Sequence, residues 1–224
     1  MLYILDTADI NAIRHCNEYY PLAGVTTNPS IIAKEHTDFW TLVEEIRDII
    51  GDEKMLHIQT TQKTAEAIIE EAKIIKERIR GNFFIKIPIG EEGLKATMEL
   101  KKMGIGVTMT AIFTPAQALV AAMAGASFVA PYVNRLDNII SDGIEVVTEI
   151  VRQLKIYNSD CKVLAASFKN AEQVHRCACV GCHSVTVDDE ILKILISHPM
   201  TDMAIQNFDK DWKSVYGDNK IIDL

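Results

Sequence analysis

Lys86 stands in the middle of an otherwise apolar run, NFFIKIPIG, from Asn82 to Gly90. An unpaired ammonium is costly to bury, and a lysine enclosed by apolar side chains tends to lose its proton instead. The neutral amine is a nucleophile for carbonyl carbon. It forms a Schiff base, and the iminium withdraws electrons from the neighbouring carbon, so a carbon–carbon bond can be cleaved or formed without a metal. On this residue alone a second reading stays open, a structural lysine paired with an inward carboxylate. The six histidines, His15, His36, His57, His175, His183 and His198, show neither H-x-H nor H-E-x-x-H spacing. A zinc-dependent aldol mechanism therefore has no visible ligand set, and no metal or cofactor is expected.

Further polar side chains recur along the chain: Asp6, Asn28, Gln59, Thr110, Tyr132 and Ser167. Like Lys86, each lies at or near the end of a short β-type run. The runs are YILDT (3–7), LAGVTTN (22–28), MLHIQT (55–60), FFIKIP (83–88), GVTMTA (106–111), SFVAPY (127–132), KVLAAS (162–167) and HSVTV (183–187). Between them lie segments of helical spacing, as in TAEAIIEEAKIIKERI (64–79), where Ala65, Ile68, Ile69, Ala72 and Ile75 recur at intervals of three and four. Strict strand–helix alternation predicts a parallel sheet. Polar groups at the C-terminal ends of seven different strands predict a closed barrel, because an open sheet concentrates them at one switch point. No G-x-G-x-x-G follows the first strand and no P-loop pattern occurs. The predicted fold is an α/β (β/α)8 TIM barrel with an extra C-terminal helix. Within the fourth strand, alternation puts Phe84, Lys86 and Pro88 on one face and Phe83, Ile85 and Ile87 on the other. The fully apolar face suits packing against helices, so Lys86 is predicted to point inward near the barrel mouth.

Residues 1–199 are read as the catalytic barrel, and 200–224 as a helix and tail of the same domain. The segment TDMAIQNFDKDWKSVYG (201–217) places Ile205, Phe208, Trp212 and Val215 at helical spacing. It is one helix more than eight repeats need, and reads as a lid across the barrel bottom or as an arm to a neighbouring subunit.

The 224 residues are 48% hydrophobic, enough for one large core. A formal charge of −8, with no run of lysines or arginines, argues against nucleic acid as a partner, so a bound phosphate must be held by a few local donors. No apolar run approaches the roughly 18 residues of a spanning helix, and MLYILDTADI lacks a basic signal region, so no membrane partner and a cytoplasmic location are expected. Five cysteines, Cys16, Cys161, Cys177, Cys179 and Cys182, then read as reduced thiols, and C-x-C-x2-C without a second half reads as structural rather than metal-binding.

GVTTNPSII (24–32), and IKIP (85–88) followed by EGL (92–94), resemble the two signatures of the transaldolase family. APYVNR (130–135), LAASFK (164–169) and DW (211–212) extend the resemblance over nearly the whole chain. Within the family the chain is most similar to the small single-barrel branch that contains fructose-6-phosphate aldolase. The resemblance implies Lys86 as the Schiff-base lysine, Asp6 as a catalytic partner, and Asn28 with Thr26 near the substrate hydroxyls. It implies Arg135 and Ser167 as phosphate contacts, a guanidinium fork plus a hydroxyl being suited to that task. By residue type alone, Arg135 reads instead as the partner of Asp137 in a surface ion pair, and Ser167 as the cap of the helix starting near Asn170.

Classical transaldolases carry glutamate at the position of Gln59 and phenylalanine at that of Tyr132, whereas the aldolase branch resembles this chain at both. Thr110 completes that branch's group, which holds a water and relays a proton through the phenol. The implied activity is a class I, metal-independent aldolase of carbohydrate metabolism, which cleaves fructose 6-phosphate at C3–C4 to dihydroxyacetone and glyceraldehyde 3-phosphate. The alternatives are a transaldolase that passes the dihydroxyacetone unit between sugar phosphates and, more remotely, a non-catalytic sugar-phosphate-binding barrel. A ring-based homo-oligomer, with a decamer among the sizes that follow, is also implied. Three positions depart from the pattern: Gly90 where a capping hydroxyl is usual, His57, which reads as a packed core residue beneath the site, and TTQK (60–63) on the rim.

Overall fold

The computed structural model describes residues 1–224. Eight parallel strands close into a barrel in chain order: β1 (Leu2–Asp6), β2 (Leu22–Thr26), β3 (Met55–Gln59), β4 (Phe83–Pro88), β5 (Gly106–Ile112), β6 (Phe128–Pro131), β7 (Lys162–Ala165) and β8 (Ser184–Val187). The closing seam pairs β1 with β8 from Leu2↔Ser184 to Leu5↔Val187. The helices are α1 (Ile10–Tyr19), α2 (Pro29–Lys34), α3 (Phe39–Ile50), α4 (Ala65–Arg78), α5 (Glu91–Lys102), α6 (Pro115–Ala124), α7 (Val133–Asp137), α8 (Gly143–Ile156), α9 (Ala171–Cys179), α10 (Asp189–Ile196) and α11 (Pro199–Tyr216). The fold is therefore the predicted α/β TIM barrel. The chain divides into two compact units, Met1–Asp189 with the barrel and Glu190–Leu224 with α11 and nearly all of α10. No helix is long and apolar enough to cross a membrane.

Most helix starts are fixed by local chemistry. Asp9, Asn28, Asp38, Thr64, Asp142 and Asn170 accept backbone N–H groups at the starts of α1, α2, α3, α4, α8 and α9. Thr114 and Gln117 form a reciprocal capping box on α6. At α5 the cap is Gly90, which has no side-chain bond to give. Gly24 is required for close approach, since a Cβ there would fall 2.1 Å from the Met55 carbonyl oxygen.

The barrel interior is filled in layers. Ile4, Met55, Phe128 and Leu164 form an apolar floor, with Ala23 and Phe84 packed against it. His57 lies next, fully buried, its ring stacked on Phe84 at 4.8 Å and edge-on to Phe128 at 5.4 Å, with Nδ1 2.9 Å from Thr108 Oγ1. Burial and the nearby Lys86 hold its pKa down at about 3, which keeps the ring neutral, a packed core histidine. On β4, Phe83, Ile85 and Ile87 form the buried apolar face, as alternation predicts.

Five strands, β1, β2, β3, β6 and β7, end one or two residues before their sequence runs do. β6 stops at Pro131 and β7 at Ala165, so Tyr132 meets β7 only through a single bridge to Ala166, and Ser167 stands on a loop. Proline's missing N–H and the turn into α7, a short helix beyond the expected repeat, end the β6 ladder there. β5 has the opposite irregularity. Its register to β6 jumps between Met109 and Ile112, with Ala111 in the left-handed region at φ 57°, an extra residue of the kind that re-aims side chains.

Candidate active site

Lys86 lies on β4, opposite Gln59 of β3 and Thr108 of β5, with only 6% of its surface exposed. Its Nζ donates to the carbonyl oxygen of Thr27 at 2.7 Å, so the partner is a neutral backbone group and not the carboxylate that a structural ion pair requires. Burial lowers its pKa from 10.5, and the negative charge of Asp6 opposes the shift in part. The amine is thereby biased toward its nucleophilic form.

Asp6, at the end of β1, is oriented from beneath. Thr26 donates its hydroxyl proton to Asp6 Oδ1 at 2.6 Å, and Thr186 Oγ1 lies 2.6 Å from the Thr26 oxygen. Thr26 has one proton to give, so the bond to Asp6 leaves its oxygen to accept from Thr186. The chain of two threonines holds the carboxylate and leaves Oδ2 outside these contacts. Thr26 is fully buried and orients Asp6, with no place on the cavity wall.

Lys86, Asp6, Asn28, Tyr132, Arg135 and Ser167 share the lining of one cavity of about 600 Å³. Asn28 caps α2 through Oδ1, which accepts the Ile31 N–H at 3.0 Å, and its amide nitrogen keeps both protons for a ligand. Arg135 lies over the Tyr132 ring at 4.7 Å. It does not pair with Asp137, whose two oxygens are taken by the Gly143 N–H at 2.9 Å and Gln173 Nε2 at 2.6 Å. Ser167 does not cap α9 either, because Asn170 does. Its left-handed φ of 62° is a strained conformation held by the Asn134 N–H, which donates to the Ser167 carbonyl at 2.8 Å. Both side chains are thus free of the structural roles that would compete with anion binding.

Thr110 Oγ1 and the Tyr132 hydroxyl are 3.0 Å apart, so two members of the expected proton relay meet. No hydrogen bond joins Gln59, the third, to them, although it follows the inward His57 by two residues on β3 and stands in register with Lys86; it also borders a cleft of about 460 Å³ with Phe39, Trp40, Thr61 and Gln62. The sequence reading also missed Thr186, Asn134 and Lys169, which line the main cavity. Thr186 was open to discovery, since it alternates with Ser184 on β8 as Asp6 does with Ile4 on β1. Within the cysteine cluster the buried thiols of Cys177 and Cys182 are hydrogen-bonded to each other, whereas Cys179 is exposed.

A closed parallel barrel whose C-terminal mouth gathers a buried lysine, a carboxylate and a phenol defines a (β/α)8-barrel enzyme of the transaldolase or aldolase type. The chain belongs to the transaldolase/fructose-6-phosphate aldolase family, whose sequence model matches residues 3–219. Among solved structures, one described as native KDPGal is 18% identical, with a TM-score of 0.55 over 83% of this chain and 81% of that one. A flavocytochrome b2 variant with benzoylformate is 15% identical, with a TM-score of 0.62 over 84% of this chain. The chain spans 57% of that protein's length. A cube-shaped cage designed by fusing symmetric oligomeric domains is 15% identical, with a TM-score of 0.60 over 96% of this chain and 77% of that one. These likenesses establish the barrel fold.

Proposed function

We propose that the protein is a Schiff-base aldolase that cleaves and forms the C3–C4 bond of fructose 6-phosphate. The observation that carries this reading is the Lys86 amine, buried at the wall of a polar cavity with a carbonyl as its hydrogen-bond partner. The amine adds to the C2 ketone and water departs, leaving an iminium. Asp6 takes the C4 hydroxyl proton, the C3–C4 electron pair moves toward the iminium, and glyceraldehyde 3-phosphate leaves. An enamine of dihydroxyacetone stays on Lys86. Tyr132, with Thr110 at its hydroxyl, returns a proton to C3, and water hydrolyses the iminium to free dihydroxyacetone and the amine. Arg135 and Ser167 hold the phosphate, and Asn28 meets a hydroxyl of the sugar.

Transaldolase activity is the second reading, and one observation favours it. No hydrogen bond ties Gln59 to the Thr110–Tyr132 pair, and an enamine without a complete relay waits longer for an acceptor aldehyde. Incubation with fructose 6-phosphate, with and without erythrose 4-phosphate, separates the two. Free dihydroxyacetone in the absence of acceptor supports the aldolase, and turnover only with acceptor supports the transferase. Failure of borohydride plus fructose 6-phosphate to add mass to the protein would leave only a binding barrel.

A further inference from the structure

Glu71, in the second turn of α4, folds its carboxylate back onto the loop that follows β3. Oε2 accepts the Thr60 hydroxyl and, at 3.0 Å, the Thr61 backbone N–H. Oε1 accepts the Thr61 hydroxyl at 2.7 Å and the Gln62 side-chain amide at 3.5 Å. The Gln62 N–H donates to Thr60 Oγ1 at 3.1 Å and closes the turn. All these donors are uncharged, so the carboxylate is committed to shaping one loop, and hydrogen bonds to an ionised acceptor are stronger than neutral ones. The loop is anchored at its start to the nucleophile's own strand, because the Thr60 N–H donates to the Lys86 carbonyl at 2.9 Å. Gln59 sits directly before this clamp, in register with Lys86.

We infer that Glu71 is a positioning residue: by clamping Thr60–Gln62 it fixes the chain direction out of β3, and so sets how the Gln59 amide is presented to the Thr110–Tyr132 pair and how the enamine on Lys86 is resolved. This rests on the proposed Schiff-base chemistry. Glu71 touches neither Lys86 nor the main cavity, so its effect falls on the step after C3–C4 cleavage and not on Schiff-base formation.

Glu71→Gln keeps the shape of the side chain but has one oxygen where the carboxylate has two, so half of the clamp is lost. Glu71→Ala removes all of it. Hydrogen exchange over residues 59–63 reads the loop directly, and the Thr61 amide in particular should exchange about tenfold faster or more in Glu71→Gln. With fructose 6-phosphate as the probe, borohydride trapping on Lys86 should change little. Dihydroxyacetone released per Schiff base formed should fall by about tenfold or more, the scale of a lost proton-transfer partner. A purely structural role would lower trapping and release together. Two results overturn the inference: unchanged exchange at Thr61 in both variants, or faster exchange with an unchanged ratio of release to trapping. If the unaltered protein gives no adduct at Lys86, the aldolase reading fails and takes the catalytic half of the inference with it, while the exchange measurement still decides the clamp.

Discussion

Lys86 Nζ donates to the Thr27 carbonyl across 2.7 Å, and the charge of Asp6 acts on its ionisation through space. The folded pKa lies below 10.5, so between the folded value and 10.5 the unfolded chain binds more protons and stability rises with pH. The cost of burying the amine is fully present below the folded pKa. Lys86→Met should therefore fold, lose nearly all turnover, and exceed the unaltered protein in stability near neutral pH, with the gap closing as pH rises toward 10.5. Denaturant titrations at several pH values check the sign. Borohydride trapping followed by peptide mapping checks the residue, and an adduct on Lys95 or Lys169 instead would refute the assignment.

Asp6 raises the Lys86 pKa against the larger effect of burial. Asp6→Asn removes that charge, so the pH profile of borohydride trapping should move to lower pH while aldol cleavage slows by a factor of about 10²–10⁴, the scale of a lost proton acceptor. A profile that does not move would mean that the carboxylate does not act on the amine.

The inward turn of Lys86 was legible because the other face of β4 is wholly apolar and must meet helices. Asp6 and Thr110 were legible as polar residues at or near the ends of short β-type runs. Arg135 and Ser167 were ambiguous as residue types. Only the contacts of Asp137 and the capping of α9 by Asn170 remove their competing roles. The place of Gln59 at the end of β3 was legible, but the shape of the loop after it was not. That loop is bound by Glu71, a charged helix residue whose partners lie 9 to 11 positions away, and no periodicity marks such a pairing. The bulge at Ala111 was hidden for a similar reason, since the amino acid itself does not advertise a positive φ.

Only 1% of the surface of Arg47, on α3, is accessible. Its guanidinium donates to three carbonyls, those of Gly51 at 2.5 Å, Lys54 at 2.8 Å and Asn82 at 2.8 Å, which ties together the loops entering β3 and β4. Arg47→Met keeps the apolar stem and strands the carbonyls. A loss of about 2–4 kcal/mol is expected in urea unfolding, with Lys86 trapping intact in the folded fraction. A change below about 0.5 kcal/mol, the range of ordinary surface substitutions, would count against the clasp.

Helix α11 buries none of its residues, and Ile205, Phe208 and Val215 are 59%, 70% and 72% exposed. Apolar side chains displayed on one helix are expected to be covered in a homo-oligomer. Truncation after Pro199 should lower the mass found by light scattering. A full-length chain that is already monomeric in dilute solution would rule the assembly out.

Thr110 Oγ1 lies 3.0 Å from the Tyr132 hydroxyl, and Arg135 lies over the Tyr132 ring, so the phenol is held at the cavity wall with a polar partner in place. Tyr132→Phe keeps the ring and removes the hydroxyl. It should slow protonation of the enamine far more than formation of the Schiff base, with dihydroxyacetone release falling by a factor of about 10²–10⁴. The covalent intermediate then lives longer, and a long-lived enamine can meet an acceptor. Adding Gln59→Glu supplies the residue that classical transaldolases resemble at that position, so the double variant should gain transfer to erythrose 4-phosphate as it loses free dihydroxyacetone. The two products are measured in one reaction. Continued dihydroxyacetone release with no transfer would mean that Tyr132 is not the proton donor and that acceptor choice is made on the rim, between Thr60 and Lys63, where the Glu71 clamp sets the shape.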